Sequence, residues 1–237
     1  MKWNILEETD DWVAVDKPSG LLSIPDRQGK EPSLKDALRN RYANIYTVHR
    51  IDRETSGIIL FAKTEAAHTL LSQMFEDRAV EKWYVGLVLG NPQPASGSIH
   101  LPIMEHPGKP GRMVAHAKGK SAHTDYTVIE SFRGYSWVRW QIHTGRTHQI
   151  RVHMQQTGNA LVCDEWYGDG KPLLLSSLKK KFKLSHSEET ERPLLSRLAL
   201  HASELHFNWN GIPYSITAPI PKDLSATLQQ LKKWSRT

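Results

Sequence analysis

Apolar and polar positions along the 237-residue chain follow two different periods, which predict strands and helices in one fold. Short apolar runs at 12–16, 58–62 and 83–89 are typical of buried strands. Residues 137–143 alternate, with apolar side chains at the even positions, and this period of two predicts a strand with one buried face. The pair Asn210-Gly211 stands between apolar stretches and predicts a hairpin turn.

Four other segments carry apolar residues at helical spacing. Ser33, Thr64 and Asp223 are candidate N-caps, because their side-chain oxygens can accept a free backbone N–H. On the helix after Thr64, the buried face is expected to include Leu70 and the aliphatic stem of Arg78. Helices and strands mix without regular alternation, which favours an α+β fold over a doubly wound parallel sheet. The predicted helices cover 33–43, 64–78, 147–157 and 223–234.

Two polar stretches interrupt this pattern. Residues 91–120 are rich in Pro, Gly, His and Lys, too polar for a core and too long for a simple connection, so we expect them to touch the substrate. Residues 176–193 change from Lys-rich to Glu-rich and contain few apolar side chains, which predicts a surface excursion. One domain over 1–237 is the default expectation for this length, and two small lobes are the alternative.

The net charge of +6 and a pI near 9.3 favour an acidic partner such as nucleic acid, although a solvated basic surface explains them equally well. No apolar run has the length of a signal peptide or membrane span, so we expect a cytoplasmic protein without a membrane partner. A single cysteine, Cys163, excludes an internal disulfide and is predicted to be a small core residue.

Twelve histidines raise the question of a metal site. None stands in His-Glu-x-x-His spacing, and His143, His148 and His153 recur at intervals of five, which would scatter them around a helix. We therefore expect neither a metal nor a cofactor.

The charged turn at residues 49–57 leads into the apolar run at 58–62 and places Asp52 between two arginines. On composition alone it is more often an ordinary surface loop than a catalytic one. Its order, His-Arg-Ile-Asp-Arg-Glu-Thr-Ser-Gly, closely resembles the signature of the RluA-type pseudouridine synthases. The resemblance extends over roughly 10–235 through further blocks at 82–90, 119–126, 144–153, 200–202 and 218–219.

The resemblance implies isomerisation of uridine in ribosomal or transfer RNA. It also implies a single catalytic domain with a mixed, mostly antiparallel sheet, flanking helices and an RNA-binding cleft. In a departure from some members of the family, we expect no accessory RNA-binding domain in front of it. Asp52 matches the family's catalytic carboxylate, Tyr84 its orienting aromatic and Arg151 the cation that keeps the carboxylate ionised. Whether Asp52 forms a covalent adduct or removes a proton stays open. Without the resemblance, Tyr84 would be an ordinary strand aromatic and Arg151 a helix-surface charge.

Substrate contacts are expected from basic residues near these blocks. Arg50 matches the arginine that fills the space left by the extruded nucleotide, or else contacts a phosphate. The expected partner is an RNA stem-loop, not DNA, bound by a monomer. The other predicted RNA contacts are Arg112, Lys120, Arg146 and His148.

Two rival interpretations come from other classes of protein. A non-catalytic RNA-binding protein could retain the fold, but the presence of Asp52, Tyr84 and Arg151 argues against decay. A carboxylate-based glycoside hydrolase needs two facing acidic groups, and Glu54 on the same turn is a candidate for the second. The strand predicted at 137–143 carries basic and aromatic side chains on its other face, and these argue instead for a polyanionic substrate.

Overall fold

A computed structural model describes residues 2–26, 28–179, 182 and 190–235. Five helices and twelve strands are assigned within these ranges. In chain order they are β1 (Asn4–Glu8), β2 (Trp12–Lys17), α1 (Leu34–Arg39), β3 (Tyr46–Thr47), β4 (Ser56–Ala62), α2 (Glu65–Glu76), β5 (Glu81–Leu89), β6 (Ser96–Ile99), β7 (Ile103–Glu105), β8 (Met113–Ala115), β9 (Thr124–Phe132), β10 (Tyr135–Ile142), α3 (Gln149–Gln156), α4 (Leu175–Leu178), β11 (Leu200–Trp209), β12 (Ile212–Thr217) and α5 (Lys222–Trp234).

The chain divides into two compact units, each made of two stretches of sequence. The first unit contains Met1–Tyr84 and His201–Pro219, and the second contains Val85–Leu200 and Ile220–Thr237. Strands β5 and β11 contribute residues to both units. Among the described residues, no helix combines the length and the apolar character needed to cross a bilayer.

The first unit is built around β4, whose seven residues are all buried. Its strands follow the order β1-β2-β4-β11, with β3 paired to β4 and β12 paired to β11. Strands β4 and β11 are parallel, whereas β1, β2, β3 and β12 pair antiparallel, so the sheet is mixed and mostly antiparallel. Since alternate side chains of a strand point to opposite faces, one face of β4 packs with α1 and the other with α2.

The second unit contains an antiparallel run, β10-β9-β6, and a separate two-stranded pair, β7-β8. Its larger apolar cluster joins Val85 and Leu87 of β5 to Leu224 and Leu231 of α5. A smaller cluster places Val152 of α3 against apolar residues from the 103–122 region and Tyr167. Each cluster gives a helix an apolar surface against which to pack.

Several local predictions are confirmed. The strands at 12–16, 58–62 and 83–89 and the four helices are present. Ser33 and Thr64 are N-caps, and each side chain accepts the N–H of the residue three positions on. Asn210 and Gly211 both have positive φ, as the predicted hairpin turn requires. Cys163 is buried, and burial raises the pKa of its thiol to about 11.

Other local predictions are wrong, because tertiary packing determines where the helix ends and which side chains are buried. Helix α1 ends at Arg39. Leu70 is 49% exposed. Arg78 lies beyond the end of α2, has a left-handed backbone conformation and is exposed. The buried face of α2 is therefore narrower than the sequence pattern predicts. Trp137, on the face of β10 that its pattern predicts to be polar, is buried in the larger cluster with Val85 and Leu87, so this face is partly covered.

The two polar stretches and the last helix also differ in part from expectation. Residues 91–120 contain β6, β7 and β8, and Ile99 and Ile103 within them are buried. The N-cap of α5 is Pro221, while Asp223 lies in the first turn and accepts two hydrogen bonds from Arg197, at 2.6 and 2.7 Å. Half of the surface excursion expected at 176–193, namely residues 180, 181 and 183–189, lies outside the described residues.

Gly57 is required where β4 meets β11. It has a φ of +111°, and a Cβ added there would overlap the carbonyl oxygen of Ala202, its partner on β11. We expect Gly57→Ala to lower the free energy of unfolding by at least about 3 kcal/mol, because backbone strain and overpacking add. Urea denaturation measures this. Gly134→Ala is the matched control, since Gly134 has a φ of +81° but open space around it. Equal losses in the two variants would show that the contact with β11 is unimportant.

Candidate active site

The turn that carries Asp52 enters β4 between buried residues. Ile51 and Thr55 are buried on either side of it, whereas the side chain of Asp52 is half-buried. The turn is closed by the N–H of Thr55, which donates to the carbonyl oxygen of Asp52 at 3.2 Å. Ser56 Oγ is hydrogen-bonded to His201 Nδ1 at 3.0 Å, which ties the start of β4 to β11. The backbone is therefore fixed while the carboxylate remains accessible.

Lys17 joins this turn to the segment that follows β2. It is fully buried, and its Nζ donates to the carbonyl oxygens of Pro18, Leu21 and Arg53 at 3.0, 2.7 and 2.9 Å. Bonds to an ionised donor are among the stronger ones in proteins. The resulting connection holds both backbone segments around a single ammonium group.

Two serines add further connections between the same segments. Ser19 Oγ donates to the carbonyl oxygen of Glu54, and Ser23 Oγ donates to that of Ile51, each at 2.6 Å. Side chains whose supporting residues are themselves locked keep the geometry that a reaction needs. The turn therefore has the rigidity expected of a catalytic loop.

His49, the first residue of the motif, has a structural role in this arrangement. Its Nε2 accepts the N–H of Leu60 at 2.9 Å, and its ring stacks on Phe75 with centroids 4.4 Å apart. Burial and the nearby Lys82 cation lower the pKa of His49 to about 3. The ring is therefore neutral at physiological pH and anchors the turn to β4.

Tyr84 lies near Asp52 in the first unit. It is buried on β5, and burial, followed by the negative charge of Asp52, raises the pKa of its hydroxyl well above the usual range. The phenol therefore stays protonated. The structure brings the predicted carboxylate and the predicted aromatic within electrostatic reach of each other.

Arg151 is buried on α3 in the second unit and is not a helix-surface charge. Its Nε and one terminal nitrogen each donate to Asp164 at 2.8 Å. Asp164 is itself buried and accepts the N–H groups of Trp166 and Tyr167, both at 3.0 Å. The sequence predicted Asp52 as the carboxylate partner of this arginine and did not reveal Asp164. The only available signal was the sequence Asp-Glu-Trp-Tyr-Gly, which starts at that residue after the helix.

Tyr167 is a second residue that sequence reasoning missed. The guanidinium carbon of Arg151 lies 4.9 Å from the centroid of its ring, and that of Arg112 lies 5.5 Å from it. Its hydroxyl is 2.8 Å from Nδ1 of His148 and accepts the N–H of Met113 at the same distance. Three predicted site residues, Arg112, His148 and Arg151, are thus gathered around one buried aromatic ring.

Lys120 and Arg146 line a groove of about 560 Å³ in the second unit. Arg146 is held from behind, because its Nε donates to the carbonyl oxygen of Ser121 and its backbone N–H donates to Gln149 Oε1, both at 3.0 Å. Lys118 adds a third cation to the lining, and Glu105 adds one acidic group. The groove therefore carries a net positive charge suited to an anionic ligand.

The remaining predicted residues lie apart from these groups. Arg50 is exposed two residues before Asp52. His143 follows β10, His148 precedes α3 and His153 lies inside α3, so these three histidines do not share a helix as their spacing suggested. Within the described ranges, the group of side chains able to hold a metal ion consists of His123, Asp125 and His143.

Comparison with known proteins gives the class to which this site belongs. Residues 11–156 match the family model for RNA pseudouridylate synthase. The chain is 34% identical over 223 residues to the dual-specificity RNA pseudouridine synthase RluA of Salmonella typhi, covering 92% of this chain and 93% of that protein. It is also 34% identical over 229 residues to the ribosomal large subunit pseudouridine synthase D of Salmonella typhimurium, covering 93% and 68%.

Solved structures agree with these relatives. Human RNA Pseudouridylate Synthase Domain Containing 4 matches with a TM-score of 0.75 and 25% identity over 97% of this chain and 93% of that one. The chain therefore belongs to the RNA pseudouridine synthases, and within them to the RluA type. It is an isomerase that acts on RNA, and neither rival interpretation is favoured.

The pairing of Arg151 with Asp164 gives a testable stability prediction. We expect Asp164→Asn to lower the free energy of unfolding by about 3 kcal/mol, because a buried guanidinium loses the charge that faces it. The neighbouring exposed residue provides a control, since Glu165→Gln removes one charge at the surface and should change stability by less than about 0.5 kcal/mol. Urea denaturation of the three proteins decides, and equal stability of the Asn variant and wild type would contradict the structural role of Asp164.

Proposed function

We propose that Asp52 is the catalytic carboxylate of the isomerisation. The reaction breaks the bond between N1 of uracil and the anomeric carbon of ribose and forms a bond from that carbon to C5. A proton leaves C5 and N1 gains one, so no oxidant or group donor is consumed. Breaking the first bond leaves positive charge on the sugar, which an ionised carboxylate stabilises by its charge or by forming a bond. Asp52 is the half-buried acid on a turn held by Lys17, and this observation carries the proposal.

Tyr84 is proposed as the aromatic that orients the uracil. Its hydroxyl stays protonated because burial and the charge of Asp52 raise its pKa. A neutral phenol presents a flat apolar ring on which a base can stack and does not add a second negative charge beside the carboxylate. This role suits a residue that lies within electrostatic reach of Asp52.

Arg151 is proposed as the cation of the reaction. Its bidentate bonds to Asp164 and its contact with the Tyr167 ring fix the plane of the guanidinium. A fixed, permanently charged group can stabilise negative charge without reorganising during the reaction. Asp164 is then a positioning residue that acts through Arg151.

The groove containing Lys120 and Arg146 is proposed to bind the RNA backbone, together with Arg112 and His148 on Tyr167. A uridine must leave its stack before a carboxylate can reach the sugar, and unpaired loops make this step less costly. Phosphate contacts on each side of the extruded nucleotide would hold the strand during that step. Arg50, exposed beside the catalytic turn, is proposed to contact the RNA there.

Ribosomal or transfer RNA is the proposed substrate, presented as a stem-loop. Support comes from the relatives, one named for dual specificity towards RNA and another for the large ribosomal subunit. We further propose that the protein acts as a monomer in the cytoplasm, without a cofactor. These proposals rest on the likeness to the relatives and on the charge of the groove.

Replacing the proposed catalytic carboxylate tests the assignment directly. Asp52→Asn should preserve the fold and RNA binding and lower pseudouridine formation by more than about a thousandfold, because an amide neither attacks the sugar nor accepts a proton. Glu54→Gln, on the same turn, should retain activity within about tenfold and serves as the control. Quantifying pseudouridine in an RNA stem-loop substrate by mass spectrometry measures both. Activity of the Asn variant within tenfold of wild type would refute the role of Asp52.

The salt dependence of RNA binding tests the groove. Each phosphate contact contributes a slope of roughly 0.7–0.9 to the dependence of log affinity on log salt. Lys120→Ala should therefore reduce the slope by about one such contact and weaken binding to all RNAs alike. Lys233→Ala removes an exposed lysine of α5 outside the groove and should leave the slope unchanged. Fluorescence anisotropy over a range of salt concentrations gives both slopes, and identical slopes for Lys120→Ala and wild type would exclude RNA from the groove.

A further inference from the structure

Two histidines and an aspartate meet where β9 begins and β10 ends. His123 and His143 are neighbours across the two strands, and the N–H of His143 donates to the carbonyl oxygen of His123 at 3.1 Å. The side chain of Asp125 reaches both rings, with Oδ1 2.9 Å from His123 Nε2 and Oδ2 2.7 Å from His143 Nε2. All three side chains are about one-third exposed and thus accessible to a dissolved ion.

The three ligand atoms have the chemistry of a transition-metal site. Two imidazole nitrogens and a carboxylate oxygen, all within 4.8 Å of one another, form a donor set that zinc, cobalt and nickel ions accept. We propose that His123, Asp125 and His143 form a binding site for a divalent metal ion of this class. The other positions of the ion would be filled by water, as in sites that have three protein ligands.

The distances are close to those that such an ion requires. In a tetrahedral zinc site with bonds of about 2.0–2.1 Å, neighbouring ligand atoms lie about 3.3 Å apart. Each imidazole nitrogen here must therefore move away from the carboxylate by roughly half an ångström for the ion to enter. An ionised carboxylate only accepts hydrogen bonds, so each Nε2 now carries a hydrogen. The ion would replace those two hydrogens.

Surrounding residues hold the ligands in place. The N–H of His123 donates to Thr144 Oγ1 and its carbonyl oxygen accepts a bond from Gln149 Nε2, both at 2.9 Å. On β6, Ser98 Oγ donates a short hydrogen bond to Asp125 Oδ1. Such outer contacts orient metal ligands and maintain affinity. The site is therefore pre-formed on three neighbouring strands.

Neighbouring side chains also hold the carboxylate of Asp125 in place. Its Oδ1 is hydrogen-bonded to Ser98 and His123, and its Oδ2 to His143. The ring of His123 stacks on that of His100 with centroids 4.0 Å apart and on that of His143 with centroids 4.1 Å apart. Imidazole nitrogens of this kind are the commonest metal ligands in proteins.

Metal titration of the full chain, produced without a histidine tag and stripped with EDTA, tests the site. Isothermal titration with zinc chloride should give one site per chain, and cobalt chloride should give the visible absorption of a four-coordinate ion. His143→Gln and Asp125→Asn each remove a ligand and should weaken zinc binding by at least about 100-fold, whereas Ser98→Ala should weaken it by about 10-fold or more. His206→Gln is the matched control, because His206 pairs with Glu204 at 3.2 Å and, within the described part of the chain, lies outside the three-residue group able to hold a metal ion.

Several outcomes overturn the proposal: no zinc binding by wild type, equal binding by the ligand variants, or equal loss in His206→Gln. Circular dichroism establishes that the variants fold, and if a ligand variant unfolds, Ser98→Ala alone decides, since unchanged affinity in it refutes the pre-formed site. Pseudouridine formation is measured in parallel with and without EDTA. It should not change, because the proposed reaction uses Asp52, Tyr84 and Arg151 and no metal. The metal site and the catalytic assignment can thus fail independently.

Discussion

A buried cation destabilises a protein unless its partners replace the water that it loses. Lys17 meets this requirement in the first unit with three backbone carbonyl oxygens, and Arg151 meets it in the second unit with the carboxylate of Asp164. In both units, these hydrogen bonds also fix the residues whose oxygen atoms accept them. The turn of Asp52 and the orientation of Arg151 therefore depend on the same constraint, since any displacement would leave a buried charge without sufficient hydrogen bonds.

This constraint links stability to function in an RNA pseudouridine synthase. In the proposed reaction, a carboxylate must be correctly placed in a preorganised electrostatic environment. The turn provides rigidity through its backbone and leaves the side chain of Asp52 half-buried. The groove lined by Lys120 and Arg146 carries positive charge, and these two side chains are less buried than Lys17 and Arg151. The proposed catalytic turn and the proposed RNA-binding groove thus differ in how deeply their charged residues are buried.

Local features of this structure could be predicted from the sequence, and features set by distant residues could not. Ser33 and Thr64 each accept the N–H of a residue three positions further on, so their capping roles can be predicted from the local sequence. The family motif named Asp52 and Tyr84 as site residues, and the structure brings these two residues within electrostatic reach of each other. Asp164 has no local pattern, because its partner lies on α3 and only the fold brings them together. The burial of Trp137 could not be predicted either, because Val85, Leu87 and helix α5, distant in sequence, cover its face of the strand.

The division of the first unit between the two ends of the chain has a consequence during synthesis. Strand β4 pairs with β11, and β11 is completed only at Trp209. At translation rates of about 5–20 residues per second, the N-terminal part waits on the order of ten seconds before that strand leaves the ribosome. During this interval the apolar edge of β4 is open to other nascent chains. The late pairing of β4 with β11 therefore makes chaperone protection most valuable before the last tenth of the protein has been translated.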